Sequence, residues 1–354
     1  MTTSRREFLR FSLVGLGAGA LALADCSPHT IVTEVPVSKE YQRKKYPYLG
    51  GRADKPEELI YCARIGAANV RIAGKYEELL NPESDFFRTI ETASQYGLNP
   101  LVVYAPFSLP DEGIVNSGLK SILPFLHNGA VEILNEPDDP QIRWEKKDMF
   151  LAATLIKYVY DTVARENSNV KLVIGALKDI ENNLPILITA MKNLGLEPTQ
   201  FAYAVHGYQN SQEISTNINR LRNTLQSIGI TNPELIVTET GVNPQYPGTD
   251  PFRSRLEILE EIVTTAFNLG VSSVYIHETK GINHTDKNRL QAKWSLTEDE
   301  MDQFYNEWVK PRISMATPTP ELNSTVPPGQ EFCIPASLLA LLVPLLVLMK
   351  RISR

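Results

Sequence analysis

Two glutamates are the residues of this chain best placed to do chemistry. Glu136 stands in Val131-Glu132-Ile133-Leu134-Asn135-Glu136-Pro137, and Glu239 stands in Leu235-Ile236-Val237-Thr238-Glu239-Thr240-Gly241. Each closes an apolar run of strand length, and each is closely followed by a turn former, Pro137 or Gly241. Strand, glutamate, turn is how an eight-stranded parallel barrel carries a side chain at its C-terminal mouth. Two carboxyl groups facing each other there, one protonated and one ionised, can break a glycosidic bond. The first gives its proton to the leaving oxygen, and the second attacks the anomeric carbon.

Such a site needs strands that end on a common rim. Segments of strand and helix character alternate along the chain. Strands are expected at Tyr46–Leu49, Asn69–Ile72, Leu101–Tyr104, Val131–Asn135, Lys171–Gly175, Phe201–His206, Leu235–Glu239 and Ser273–His277. Helices are expected near residues 56–65, 85–96, up to 126, 144–166, 185–194, 213–228, 251–269 and 297–308. Gly66, Gly97 and Gly270 stand where a helix hands over to the next strand, the usual place for a glycine after a helix. The pattern predicts an α/β fold, a (β/α)8 TIM barrel forming a single catalytic domain over residues 45–312.

Composition narrows the options. At 43% hydrophobic and 21% charged the chain is an ordinary globular one, and at 354 residues it holds one large domain or two modest ones. The net charge of −6 is interspersed, with no basic stripe to suggest a nucleic-acid partner. Cys26, Cys62 and Cys333 form no disulfide framework and no zinc spacing. No His-Glu-x-x-His helix, phosphate-cradling glycine loop or Gly-x-Ser-x-Gly elbow occurs, so neither a metal nor an organic cofactor is expected.

Asn135-Glu136-Pro137 after one strand and Thr238-Glu239-Thr240-Gly241 about a hundred residues later resemble clan A of the retaining glycoside hydrolases. The resemblance covers roughly residues 45–312. It implies that Glu136, ending strand 4, is the acid/base and that Glu239, ending strand 7, is the nucleophile. It further implies that Asn135 donates to the sugar 2-hydroxyl and that Arg71, on strand 2, faces the nucleophile. His206-Gly207-Tyr208 matches the clan's His-x-Tyr, in which the tyrosine hydroxyl donates to the nucleophile. An acceptor held by Arg71 and Tyr208 stays ionised, while Glu136 supplies the proton. The chain departs from the pattern at strand 8, where many members carry a tryptophan as the floor of the sugar site. Here Tyr275 or His277 takes that place, or the floor is missing. Strand 3 ends in Tyr104 and lacks the histidine that some families have. Tyr104, Tyr208, Tyr246 and Trp144 are candidate stacking faces, and Glu278 is a third carboxylate near the mouth.

Both ends read as addresses. Ser4-Arg5-Arg6-Glu7-Phe8-Leu9-Arg10 followed by an apolar run to Ala24 has the form of a twin-arginine export signal over residues 1–25, with a linker over 26–44. Ala22-Leu23-Ala24 offers an Ala-x-Ala cleavage site, and Leu23-Ala24-Asp25-Cys26 resembles a lipoprotein box with Asp25 where a small residue is expected, so Cys26 is a candidate for lipidation. Residues 313–331 form a Pro/Thr/Ser-rich linker. Residues 332–354 form an apolar run with a basic end, either a membrane anchor or a cleaved sorting tail. The sequence reading is an exported retaining glycosidase, tethered at a membrane or cell surface and acting on a β-linked oligosaccharide or polysaccharide. The rivals are a surface transglycosylase on the same site and a carbohydrate-binding protein that has lost turnover.

Overall fold

The computed structural model describes residues 43–106, 108–139, 148–166, 169–243, 253–277 and 296–315. Eight parallel strands close into a barrel in sequence order: β1 Tyr46–Arg52, β2 Ala67–Ala73, β3 Asn99–Tyr104, β4 Ala130–Ile133, β5 Lys171–Ile174, β6 Ala202–Tyr208, β7 Leu235–Gly241 and β8 Ser273–Ile276. The expected TIM barrel is therefore the observed one. Helices follow the strands: α1 Leu59–Arg64, α2 Asp85–Gln95, α3 Glu112–Ile122, α4 Met149–Arg165, α5 Ile180–Asn193, α6 Ser211–Ser227 and α7 Arg255–Asn268. After β8 come α8 Glu298–Phe304, a π-helical turn at Tyr305–Val309, and α9 Lys310–Met315. The N-terminal segment, Cys26, Trp144, Tyr246, Glu278 and the C-terminal tail lie outside the described residues. Among the described residues no helix is long and apolar enough to cross a membrane.

Local chemistry sets the helix ends. Ser84 and Asn210 accept backbone N–H bonds as N-caps of α2 and α6, and Ser254 with Glu257 makes a capping box at α7. The predicted glycines Gly66, Gly97 and Gly270 take φ of +73°, +64° and +77°. There a side chain would strain the backbone.

The inside of the barrel is layered by strand parity. At the bottom, Asn69 donates to the carbonyls of Pro47 and Leu49 and accepts from Asn99. Above it lies an apolar layer of Leu101, Ala130, Val173, Ala202, Ala204, Ile236 and Tyr275. The alanines leave room for the one large ring. Gly50 is needed beside it, because a Cβ there would come within 2.2 Å of the Tyr275 ring. The outward-facing residues of the same strands, such as Val70, Ile72, Val131, Ile133 and Val274, pack under the helices. Burying each such side chain contributes roughly 1.5–3 kcal/mol.

Candidate active site

The third layer, at the C-terminal rim, is charged. Arg71 on β2 points inward and is 1% exposed. All three guanidinium nitrogens donate, to acceptors from two other strands and their ends. Nε donates to Glu132 Oε2 at 2.6 Å, Nη1 to Glu239 Oε1 at 2.6 Å, and Nη2 to Asn135 Oδ1 at 2.9 Å. A planar fork of fixed donors suits this arrangement, and an ammonium point charge does not. Glu132 on β4 has no exposed surface, so Arg71 is also what makes its burial tolerable. Burial works against the charge of Arg71, but Glu132 and Glu239 outweigh it and push its value further up.

Glu239 reaches this layer through an irregularity. The pairing of β7 with β6 shifts register between Val205↔Val237 and His206↔Glu239, which leaves Thr238 as an extra residue. Thr238 and Glu239 consequently both meet groups inside the rim. Thr238 Oγ1 donates to Glu132 Oε1 at 3.1 Å, and Glu239 meets Arg71. The Tyr208 hydroxyl donates a short hydrogen bond to the other oxygen of Glu239. His277 Nδ1 stands 3.5 Å from that same oxygen.

Burial alone would raise the Glu239 carboxyl. His206, Arg71, His277 and Arg52 outweigh it, and the net effect holds the group well below the usual carboxylate range. Of these, Arg71 and Arg52 are charged at any working pH. His277 is pushed down to about 4, mainly by burial. Glu239 pulls it the other way, while Arg52, Arg71 and His206 add to the fall. At neutral pH His277 is therefore an uncharged neighbour. Tyr208 is raised well above its ordinary value by burial and by Glu239, so it stays a hydroxyl donor.

Glu136 is held differently. β4 ends at Ile133, two residues earlier than its apolar run predicts, because Leu134 turns to φ +70° and Glu136 itself to φ +47°. Left-handed conformations of such residues cost roughly 1–3 kcal/mol each and persist where the surroundings impose them. Here β3 and β5 impose them. The Leu134 N–H donates to the Tyr104 carbonyl and the Glu136 N–H to the Ala176 carbonyl, both at 2.9 Å. The turn is possible only because residue 175 is glycine. A Cβ there would lie 2.0 Å from the Leu134 carbonyl oxygen.

The Glu136 carboxyl meets His206 Nδ1 at 2.9 Å on Oε1 and Lys178 Nζ at 3.4 Å on Oε2. His206 lies between the two glutamates, since the same Nδ1 is 3.9 Å from Glu239 Oε2. The two carboxyl oxygens are thus at most about 7 Å apart, where retaining glycosidases use ~5–5.5 Å and inverting ones ~6.5–9.5 Å. The hydrogen-bond network also assigns a proton. Thr238 Oγ1 gives its hydrogen to Glu132, so it accepts from His206 Nε2 at 3.2 Å. With a proton on Nε2, the Nδ1–Glu136 contact needs one further proton, held by either partner. Burial disfavours the charge on His206, but Glu239 and Glu136 outweigh it and raise its value.

The structure therefore brings together Glu136, Glu239, Arg71, Asn135, His206, Tyr208 and His277. Two other sequence candidates fall elsewhere. Tyr104 ends β3 but faces outward, 1% exposed and edge-on to Tyr76, with its hydroxyl unpartnered among the described residues. Tyr275 lies a layer below the rim in the apolar interior. His277, one step further along, takes the rim position on strand 8. Glu132, Thr238, Lys178 and Arg52 join the site without any motif in the sequence to mark them. The last ends β1, pairs with Asp54, and places Nη1 3.3 Å from His277 Nδ1. Glu132 had a usable signal, because a charge inside an apolar strand needs a partner, and Arg71 is the same case. Among the described residues no group is arranged to hold a metal ion.

No protein-family model matches the chain, and no curated protein matches its sequence. Solved structures do resemble it. A glucosidase from Croceicoccus marinus superposes with a TM-score of 0.56 at 12% identity, over 75% of this chain and 67% of that one. Fungal β-1,4-galactanases give 0.50 at 16% identity, over 75% and 95%. An endoglucanase from Pseudomonas stutzeri, solved with cellobiose, gives 0.50 at 11% identity, over 74% and 93%. At these identities the likeness establishes the (β/α)8 fold.

Proposed function

We propose that the protein hydrolyses O-glycosidic bonds of a β-linked glycoside or polysaccharide by a retaining double displacement. One observation carries this reading: a single imidazole nitrogen stands 2.9 Å from Glu136 and 3.9 Å from Glu239, and of these two glutamates Arg71 bonds Glu239. The two carboxyls are close but unequal, as the chemistry requires. Glu239, kept ionised, attacks the anomeric carbon. Glu136 gives the proton it shares with His206 to the leaving oxygen. The roles then reverse: Glu136 takes a proton from water, and that water releases the sugar from Glu239. Asn135 turns its amide oxygen to Arg71, so its NH2 lies on the opposite branch, suited to a sugar hydroxyl. The glycosidases and glycanases that share the fold lend support at the level of reaction class.

The test uses aryl β-glycosides with β-glucans, mannans and xylans. Glu239→Gln is expected to lose at least about a thousandfold in kcat while remaining folded. Glu136→Ala is expected to hurt substrates with poor leaving groups most, since acid assistance matters less when the leaving group is already acidic. Wild-type turnover by the Glu239 variant would remove the nucleophile assignment. Export and surface tethering belong to the same proposal, resting on the arginine pair at Arg5-Arg6 and the apolar run at 332–349. Replacing both arginines by lysine is expected to keep the protein in the cytoplasmic fraction. Unchanged fractionation would remove that part alone.

A further inference from the structure

We propose that Asp138 is a positioning residue for the acid/base: its buried carboxylate clamps the turn carrying Glu136 to the N-terminus of α5, and so holds Glu136 and Lys178 against each other. The inference rests on the glycosidase reading for its catalytic consequence and on geometry alone for the clamp.

Glu136 lies outside regular structure, three residues beyond the end of β4, and both its own backbone and that of Leu134 are left-handed. Up to Glu136 the chain is tied to the end of β3 through the Leu134 N–H, and to the segment after β5 through the Ile133 carbonyl and the Glu136 N–H. Just behind it the Asp139 N–H closes a tight turn onto the Glu136 carbonyl at 2.9 Å. The next tie is a side chain. Asp138 is 6% exposed. Its Oδ1 accepts from the Lys178 N–H at 2.9 Å, and its Oδ2 from the Asp179 N–H at 2.8 Å and from Asn183 Nδ2 at 2.9 Å. Asp179 is the N-cap of α5, so a carboxylate there meets backbone donors that have no partner within the helix, and it sits at the positive end of the helix dipole. All three bonds are of the charge-assisted kind, shorter and stronger than neutral ones.

The clamp reaches the reacting group in two ways. It fixes the turn two residues from Glu136. It also fixes the backbone of Lys178, whose Nζ stands 3.4 Å from both Glu136 Oε2 and Asp139 Oδ2. With His206 on Oε1, each oxygen of Glu136 then has a polar partner, one brought by β6 and one by the segment after β5. The lysine head is half exposed, so its ion pairs alone hold little. Its backbone, tied to a buried aspartate, supplies the order.

Asp138→Asn is the test, because it keeps the shape but turns one acceptor oxygen into a donor facing donors. Amide hydrogen exchange is expected to rise at least tenfold over residues 134–139 and 178–183 together, with α2 unaffected. The kcat/KM for an aryl β-glycoside with a poor leaving group is expected to fall at least tenfold more than for one with a good leaving group. In a Glu136→Ala background the same change is expected to have no further effect on that ratio. If Asp138→Asn does not fold, Asn183→Leu removes one of the three bonds from outside the turn and should act in the same direction. Unchanged exchange would overturn the clamp. Faster exchange with equal losses on both substrates would overturn the positioning role and leave a loop anchor. Should the unsubstituted protein turn over no glycoside, the glycosidase reading fails, and the exchange measurement still decides the clamp.

Discussion

Arg71 decides how the two glutamates differ. One N–H from each of its three nitrogens goes to Glu132, Glu239 and Asn135, and none of these bonds is directed at Glu136. The two histidines of the rim divide the same field. His206 lies between carboxylates and is raised, whereas His277 is buried beside Arg52 and falls to about 4. Their effects on stability have opposite signs. Between pH 6.5 and 4 the unfolded chain binds a proton at residue 277 that the folded chain refuses, so this residue lowers stability as pH falls. His206 binds its proton more tightly when folded. Its contribution is present below its unfolded value near 6.5 and is lost as pH rises through the folded one. His277→Gln is therefore expected to gain on the unsubstituted protein by up to about 3 kcal/mol between pH 7 and pH 4. Urea unfolding at a series of pH values checks it, and parallel curves would count against a neutral, buried His277. Most of this site was legible as residue types at strand ends. Tyr104 stands at a strand end but on the outward parity, whereas Tyr275 shares the inward parity of His277 and lies one layer below the rim. On β3, Leu101 faces the interior, so Tyr104, three residues on, faces the helices. Glu132 was passed over because it reads as part of an apolar run.

At the scale of elements, the acid/base depends on how β4 meets β5. The strand's apolar run predicts extension through Asn135, but the chain leaves the extended region at Leu134. No glycine or proline stands at Leu134 to announce this. The permitting glycine is on the neighbouring strand's end, at Gly175, whose N–H also donates to the Ile133 carbonyl at 3.0 Å. Such a dependence between strands forty residues apart cannot be read from either segment alone. The shift in β7 that turns both Thr238 and Glu239 inward is likewise a product of pairing with β6. Propensity misplaced α5 in a similar way. Pro185 marks a plausible helix start, yet the helix begins at Ile180 and carries the proline inside it. Gly175→Ala forces a Cβ against the Leu134 carbonyl, a backbone atom that can yield only by moving the turn that carries Glu136. We expect it to cost about 1–3 kcal/mol of stability and to lower kcat at least tenfold. Thermal unfolding and steady-state kinetics on an aryl glycoside check both effects. A variant with full activity would show that the Glu136 turn tolerates displacement.

For the whole molecule, the alternation of strand and helix was legible because eight units repeat it. A misplaced boundary in one unit does not disturb the count. What the pattern does not contain is how the ring is closed at its bottom, where β1 must meet β8 and the last helices. Trp308, in the π-helical turn, does this. It is 2% exposed, stacks on Phe304 at 5.3 Å and Phe267 at 6.2 Å, and meets Tyr46 edge-on at 5.6 Å. Its indole N–H donates to Thr264 at 3.1 Å, and Arg312 lies over its face at 4.1 Å. Tyr46 opens β1, so this cluster sits at the end of the barrel opposite the glutamates. Barrels divide their work in this way, with reacting groups at the C-terminal rim and stability elsewhere. Trp308→Ala is therefore expected to cost about 3–5 kcal/mol, because it empties a packed site and removes one of the donors to Thr264. It is expected to leave kcat of the folded fraction within twofold. Calorimetry and active-site titration on one sample separate the two quantities. A large loss of stability with an unchanged turnover per active site would place Trp308 in the closure alone. A matching fall in turnover would mean that the bottom of the barrel sets the geometry of its mouth.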